Sequence, residues 1–179
     1  MGVLRYDVPA QLAALVSGHR RSFEHMLDLG CGTGLAGPHL VAWGGDLSGV
    51  DLSTQMLARA EQRGVYDALV HAEALDHLRA HSAAFDLIFA ADTLIYFGRL
   101  DAAMAVIAQA VMHGGIFAAS IECAAQDFAI LPSGRFAHAD DYLLRLAEPY
   151  FELLEQCPVD IRLEANMPVK GTLFVWRRR

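Results

Sequence analysis

The chain has 179 residues, of which 54% are hydrophobic, and carries a formal net charge of -7. That length buries a core without disulfide or metal support, and that composition excludes intrinsic disorder. The acidic balance, the single lysine (Lys170) and the one basic run, Arg177 to Arg179, exclude a general binder of the nucleic-acid backbone. Cys31, Cys123 and Cys157 are odd in number and far apart, with no paired spacing for zinc, which predicts reduced thiols and a cytoplasmic protein without a metal. No uncharged run reaches the roughly 18 to 20 residues of a membrane span, and Tyr6 stands where a myristoylation signal has Ser or Thr.

Asp7, Val8 and Pro9 read as a helix start, with Leu12, Leu15 and Val16 on one face and Ser17-Gly18 as the stop. Residues 1–24 are thus expected to form a short helical leader. The stretch Met26 to Gly34, MLDLGCGTG, begins as an apolar run of strand length and passes straight into Gly30, Gly32 and Gly34. A strand buried on both faces reads this way, and glycine lets the backbone turn tightly and approach a ligand. Leu35 to Trp43 reads as a helix whose first turn points free N–H groups at the loop. After Gly44-Gly45, Leu47 to Val50 is a second strand ending at Asp51, and Ser53 caps a helix over Thr54 to Gln62.

Ala68 to Ala72 is a third strand ending at Glu73, followed by a helix over Leu75 to His81. Phe85 to Ala91, near-continuously apolar, is a fourth strand ending at Asp92. Arg99 to Met112 predicts a long helix stopped by Gly114-Gly115, and Ile116 to Ile121 a fifth strand with Glu122 after it. Ala124 to Ala139 has no periodicity and contains Pro132-Ser133-Gly134, so residues 123–139 read as a loop, with at most a short helical piece, placed to cover the ligand edge. Asp140 and Asp141 begin a helix with Tyr142, Leu143 and Leu146 inward. Phe151 to Gln156 and Gly171 to Trp176 are strand-like runs, and the more polar stretch between them reads as strand continuation followed by a turn at Asn166 to Pro168, which closes an antiparallel pair. Strands alternating with helices at this pitch predict an α/β chain with a doubly wound, mostly parallel sheet, forming one domain over residues 1–179.

Two ligand classes fit the glycine turn. Gly32, Gly34 and Gly37 satisfy the dinucleotide pattern G-x-G-x-x-G, which keeps an NAD(P)-binding oxidoreductase open. In a dinucleotide fold, however, the first glycine follows the strand directly, and here Gly30 already does. Asp28, in the last turn of the strand, sits badly beside a pyrophosphate and well beside a cationic group. Asp51 lies about 20 residues beyond the turn, the distance at which such folds place an acid on ribose hydroxyls. With Glu73, Asp92 and Glu122 these acids mark the carboxyl ends of successive strands, the edge where open α/β sheets bind ligands. Acids at strand ends also start helices well, so the pattern serves both readings.

The acid followed by G-x-G-x-G resembles motif I of the class I S-adenosylmethionine-dependent methyltransferases, and the likeness runs from about Asp7 to the C-terminus. The resemblance implies a Rossmann-like, seven-stranded sheet with a C-terminal antiparallel strand and helices on both faces. It implies S-adenosylmethionine as cofactor and S-adenosylhomocysteine as product. Gly30, Gly32 and Gly34 would let the backbone approach the methionine part, with Asp28 near its amino group and Asp51 on the ribose. Leu52 and Met56 would pack on the adenine, with Glu73 and Ala74 at its edge, and Ala90 and Ala91 would line the floor near the methyl. Cys31, between two glycines, reads as a small residue of the same turn and not as a nucleophile.

Within that family the sequence is similar to bacterial methyltransferases associated with tetratricopeptide repeats, on GLAGPHL after the glycine turn, GVDLSTQMLARA, AADTLIYFG and SGRFAHADDYL. Substrate-side candidates are Asp92, Tyr96, Glu122 and His138, each with a plainer alternative: packing for Tyr96, a helix start for His138. Asp92 to Tyr96 lacks both prolines of the D-P-P-Y signature of enzymes that methylate base or glutamine amino groups, so a nucleic-acid substrate is not expected. The expected acceptor is a small molecule, with a protein side chain as second reading and a cofactor-binding module without turnover as third. Composition leaves the oligomeric state open.

Overall fold

The computed structural model describes residues 7–164 and 167–179. Helix α1 (Val8–His19) starts on Asp7 with Pro9 in its first turn, where a missing N–H costs nothing. Five strands alternate with helices from β1 (His25–Leu29) through α2 (Gly37–Leu40), β2 (Asp46–Asp51), α3 (Thr54–Glu61), β3 (Ala68–His71), α4 (Ala74–Arg79), β4 (Phe85–Ala90) and α5 (Asp101–Ala110) to β5 (Val111–Glu122). A small hairpin, β6 (Phe128–Ile130) and β7 (Phe136–His138), precedes α6 (Asp140–Ala147) and the long pair β8 (Phe151–Glu164) and β9 (Met167–Arg178).

The seven-stranded sheet has the order β3-β2-β1-β4-β5-β9-β8. β1 pairs in parallel with β2 and β4, β2 with β3 and β4 with β5, whereas β9 runs antiparallel to both β5 and β8. The chain therefore reverses its winding between β1 and β4, which leaves a crevice outside their carboxyl ends. Alternating side chains of the buried strands go to opposite faces. Leu27, Leu29, Ile88 and Ala90 pack with Met104 and Ile107 of α5 and Leu143 of α6. Met26, Leu47, Leu87 and Phe89 pack with Val8, Leu12 and Val16 of α1 and with Leu40. Helices thus cover both faces, as expected.

Four boundaries differ from the sequence reading. The helix expected over Leu35 to Trp43 is only α2, followed by a 3-10 turn at Val41–Trp43. The chain before it makes successive tight turns closed by Gly34 N–H on Cys31 O (2.8 Å) and Gly37 N–H on Gly34 O (3.2 Å), and Pro38 opens the helix only then. The long helix stops at Ala110 because Val111 pairs with Phe85 at the edge of β4; the ladder then skips to Leu87 opposite Ile116. The expected loop over Ala124 to Ala139 contains the β6–β7 hairpin, with Gly134 in the left-handed region (φ 80°) at its tip. Pro168, expected in a turn, stands in β9 opposite Leu163; Asn166 lies outside the described residues. Among the described residues no helix is long and apolar enough to cross a membrane.

Candidate active site

β1 delivers the chain to the switch point, and the turn that follows is left-handed at Gly30 (φ 67°), Gly32 (φ 53°) and Gly34 (φ 74°). A Cβ on Gly30 would lie 2.7 Å from Thr93 Cγ2 and Oγ1, and the Thr93 hydroxyl donates to Leu29 O at 2.6 Å. The segment after β4 is thereby seated against the turn after β1. At Gly32 a Cβ would meet nothing within 4 Å, so this backbone is open to the cavity it lines. Gly30→Ala is expected to lose about 1–3 kcal/mol of stability through backbone strain, with further crowding at Thr93; a urea titration checks it, and an unchanged midpoint contradicts it.

Asp51 closes β2 and is fixed by two backbone donors, Gly32 N–H on Oδ2 at 2.9 Å and Ser53 N–H on Oδ1 at 2.8 Å. Each oxygen keeps a lone pair for another donor. The acid expected to face a ligand therefore also ties the glycine turn to the start of α3. Leu52 (68% exposed) and Met56 (39% exposed) stand beside it with their apolar surface uncovered. Glu73 caps α4, accepting from Asp76 N–H at 2.8 Å, and lines the cavity together with Ala74.

Asp28 is buried, and its Oδ2 accepts the Tyr66 hydroxyl at 2.6 Å. Burial pushes its carboxyl up to about 7, against the lowering effect of the Tyr66 bond and with a small push from the Asp51 charge. Burial and the nearby charges of Asp28 and Asp51 push the Cys31 thiol well above its usual range, which removes it as a nucleophile. Asp92 is left-handed (φ 54°), an uncommon state for a residue with a side chain. Ser120, buried in β5, holds it there: the Ser120 hydroxyl accepts from Asp92 N–H (2.8 Å) and donates to Asp92 Oδ1 (3.0 Å). Tyr96, 68% exposed, rims the same opening.

These side chains enclose a cavity of about 690 Å³ that also takes in Pro9, Thr33, Ala72, Ala91 and Phe97. The volume falls in the range of small-molecule sites. Among the described residues that line it are four carboxylates, Asp28, Asp51, Glu73 and Asp92, and no Lys, Arg or His. Of the residues singled out from sequence, Gly34, Ala90, Glu122 and His138 are not in the lining. Gly34 backs onto Tyr66 and Arg63, and Ala90 is enclosed behind the floor.

The two departures on the substrate side have clear causes. Glu122 is buried at the end of β5 and pairs with Arg162 at 2.6 Å, so its charge is turned into the β8–β9 pair. His138, in place of a helix start or a cavity group, ends β7, and its Nε2–H donates to Phe97 O (2.9 Å) and Gly98 O (3.0 Å). Burial lowers the His138 pKa, which keeps the ring neutral in this role. It anchors the loop that carries Tyr96. Sequence reasoning missed Thr93, Tyr66 and Ser120; the one visible signal was a lone hydroxyl, Ser120, in an otherwise apolar strand. Among the described residues no group of three or more His, Cys, Asp or Glu is placed to hold a metal ion.

The cavity fits the cofactor named by the motif resemblance. Gly32 leaves space where a side chain would block a ligand, Asp51 offers paired acceptors for a diol, and Leu52 with Met56 offers an apolar face for a base. A family described as methyltransferase domain matches residues 27–119, more than half of the chain, from within β1 to within β5. The chain belongs to that family. It is a class I S-adenosylmethionine-dependent methyltransferase domain.

The dTDP-3-amino-3,6-dideoxy-alpha-D-glucopyranose N,N-dimethyltransferase of Streptomyces fradiae is 35% identical over 109 residues, 60% of this chain and 43% of that protein. The methyltransferase domain thus spans less than half the length of that curated relative. Among solved structures, an S-adenosylmethionine-dependent methyltransferase from Mesorhizobium loti superposes with a TM-score of 0.75 at 22% identity, covering 98% of this chain and 99% of that one. N-methyltransferase NodS from Bradyrhizobium japonicum WM9, in complex with S-adenosyl-L-homocysteine, superposes at 0.73 with 20% identity over 95% of this chain and 85% of that one. At these identities the structural matches establish the fold.

Proposed function

We propose that the chain transfers a methyl group from S-adenosylmethionine to an amine nitrogen of a small molecule. The observation that carries the acceptor class is the acceptor-side wall, where Asp92 stands and where, among the described residues, no cationic side chain lines the cavity. Such a wall favours cationic or hydrogen-donating ligands and disfavours acidic ones by Coulomb repulsion in a partly desolvated site. When bound, the cofactor supplies a methyl group on a positively charged sulfur, which an acceptor lone pair displaces to leave a thioether.

The residues divide the work. Gly30 and Gly32 admit the ligand to the backbone, Asp28 takes its ammonium, and Asp51 takes its sugar hydroxyls. Leu52 and Met56 cover the base, Glu73 and Ala74 take its edge, and Ala91 with Thr93 forms the floor. Asp92, held by Ser120, points one carboxylate oxygen's worth of charge at the acceptor. It accepts from the acceptor N–H and stabilises the positive charge that develops on nitrogen as the N–C bond forms. Alignment of this kind contributes about 7–11 kcal/mol in favourable systems. Tyr96 walls the acceptor side.

Two similar proteins support the nitrogen reading: the Streptomyces fradiae relative is an N,N-dimethyltransferase and the Bradyrhizobium japonicum neighbour an N-methyltransferase. The stretches GLAGPHL, GVDLSTQMLARA, AADTLIYFG and SGRFAHADDYL support placing the chain near the tetratricopeptide-repeat-associated group. Three free cysteines support a reducing, cytoplasmic setting. The test is S-adenosylhomocysteine release with matched panels of amines, alcohols and carboxylic acids. Turnover confined to amines is expected. Turnover with carboxylic acids overturns the acceptor class, and cofactor binding without turnover in any panel favours a binding module.

A further inference from the structure

Tyr66 lies in the connection between α3 and β3, a segment with no motif and no part in the reading above. Its ring fills the space left by three glycines from separate stretches. A Cβ would come within 2.9 Å of its ring at Gly34, 2.9 Å at Gly37 and 3.1 Å at Gly49. Gly34 and Gly37 bound the turn after β1, and Gly49 lies in β2 opposite Asp28. The Tyr66 hydroxyl reaches past them to donate to Asp28 Oδ2 at 2.6 Å. The same segment grips the turn a second time, through Arg63 Nε–H on Thr33 O at 2.6 Å. It is itself pinned to β2, with Asp67 Oδ2 accepting Leu47 N–H at 2.8 Å and Asp67 N–H donating to Leu47 O at 2.9 Å.

We infer that Tyr66 is a positioning residue of the cofactor site, one that acts through Asp28 on the amino-acid half of the ligand alone. The inference rests on the cofactor reading above. The Tyr66 bond fixes the Asp28 carboxylate and occupies one of its oxygens, which leaves Oδ1 for a ligand ammonium. The adenosine half is bound elsewhere, by Asp51, Leu52 and Met56, none of which Tyr66 holds through a side-chain bond. The titratable groups that face Asp28 are Tyr66 from the α3–β3 connection, Asp51 from the end of β2 and Cys31 from the glycine turn. α1 contributes only Pro9 to this cavity and β4 pairs Phe89 beside Asp28, so among the described residues no neighbouring cation offsets the carboxylate.

This arrangement makes binding of the ammonium depend on the charge of Asp28. With its carboxyl at about 7, the carboxylate form is lost as pH falls through neutrality, and affinity for a ligand with an ammonium falls with it. The Tyr66 bond lowers the Asp28 pKa, so its removal moves that inflection to higher pH.

The experiment is calorimetric titration of wild type, Tyr66→Phe, Asp28→Asn and the double variant with S-adenosylhomocysteine and with 5′-methylthioadenosine, which lacks the amino-acid half, from about pH 5.5 to about pH 8.5, a window that brackets the wild-type inflection and a higher one. Tyr66→Phe keeps the ring in its slot, and thermal melting checks that each variant is folded. Tyr66→Phe is expected to bind S-adenosylhomocysteine roughly tenfold more weakly at pH 7, the size of one hydrogen bond to a charged group. Its affinity for 5′-methylthioadenosine should stay within twofold, its inflection should rise, and in the Asp28→Asn background the substitution should be silent. Equal weakening for both ligands makes Tyr66 a general support and overturns the inference, as does unchanged affinity for S-adenosylhomocysteine. A folded wild type that binds neither ligand overturns the cofactor reading itself.

Discussion

Asp92→Asn is expected to slow methyl transfer about 10²–10³-fold while leaving affinity for S-adenosylhomocysteine within twofold. As positive charge leaves sulfur and appears on the acceptor nitrogen, a fixed carboxylate at that nitrogen stabilises the transition state more than the ground state, and only such differential interactions raise the rate. Losing one preorganised electrostatic partner typically costs the quoted factor. The amide keeps the size and the Ser120 contact, so the variant isolates the charge. Ser120→Ala addresses orientation instead: it removes both bonds that hold Asp92 at φ 54°, and a roughly tenfold loss is expected from freeing the carboxylate. Single-turnover rates on saturated enzyme measure both. A rate for Asp92→Asn within threefold of wild type contradicts the role.

Asp51→Ala is expected to weaken S-adenosylhomocysteine binding about 10²–10³-fold. Hydrogen bonds to a charged acceptor are each worth about 1.5–3 kcal/mol, and Asp51 is placed to accept two from a ribose while holding Gly32 and Ser53 from behind. The alanine variant therefore loses the ligand contacts and releases the turn together. Asp51→Asn, which keeps one acceptor oxygen, should fall between alanine and wild type. Calorimetry on the three proteins orders them, and an alanine variant as tight as wild type removes Asp51 from the site.

The glycine turn and its strand were legible because several local signals agree there: an apolar run, glycines at spacing two, and an acid at the strand end. The fourth strand was legible because both faces of β4 are buried, which leaves Asp86 as its one polar residue in an otherwise apolar run. Val111 and Met112 fit the apolar face of a helix as well as a strand, so periodicity ran α5 two residues too far. The hairpin strands hold three residues each, too few for alternation to register. In β8 the outward face is mixed in polarity, so only Phe151 to Gln156 carried an apolar strand signal, and the rest was read as strand continuation from its place before the closing pair.

The site divides along the same line. Residues carried by a motif were placed from sequence, whereas residues that act by meeting another element were not. Tyr66 joins Asp28 from 38 positions away and Ser120 joins Asp92 from 28. The strand-end acid pattern could not show that Glu122 turns inward, because its partner Arg162 comes from β8. His138 was drawn to the site by its chemistry, and the structure gives it two carbonyls of the Tyr96 loop instead.

The most direct measurement is a calorimetric titration of the unmodified chain with S-adenosylmethionine and, separately, with NAD. Saturable one-to-one binding of S-adenosylmethionine with no heat from NAD is the predicted outcome. Tight NAD binding by a chain that ignores S-adenosylmethionine would contradict the account.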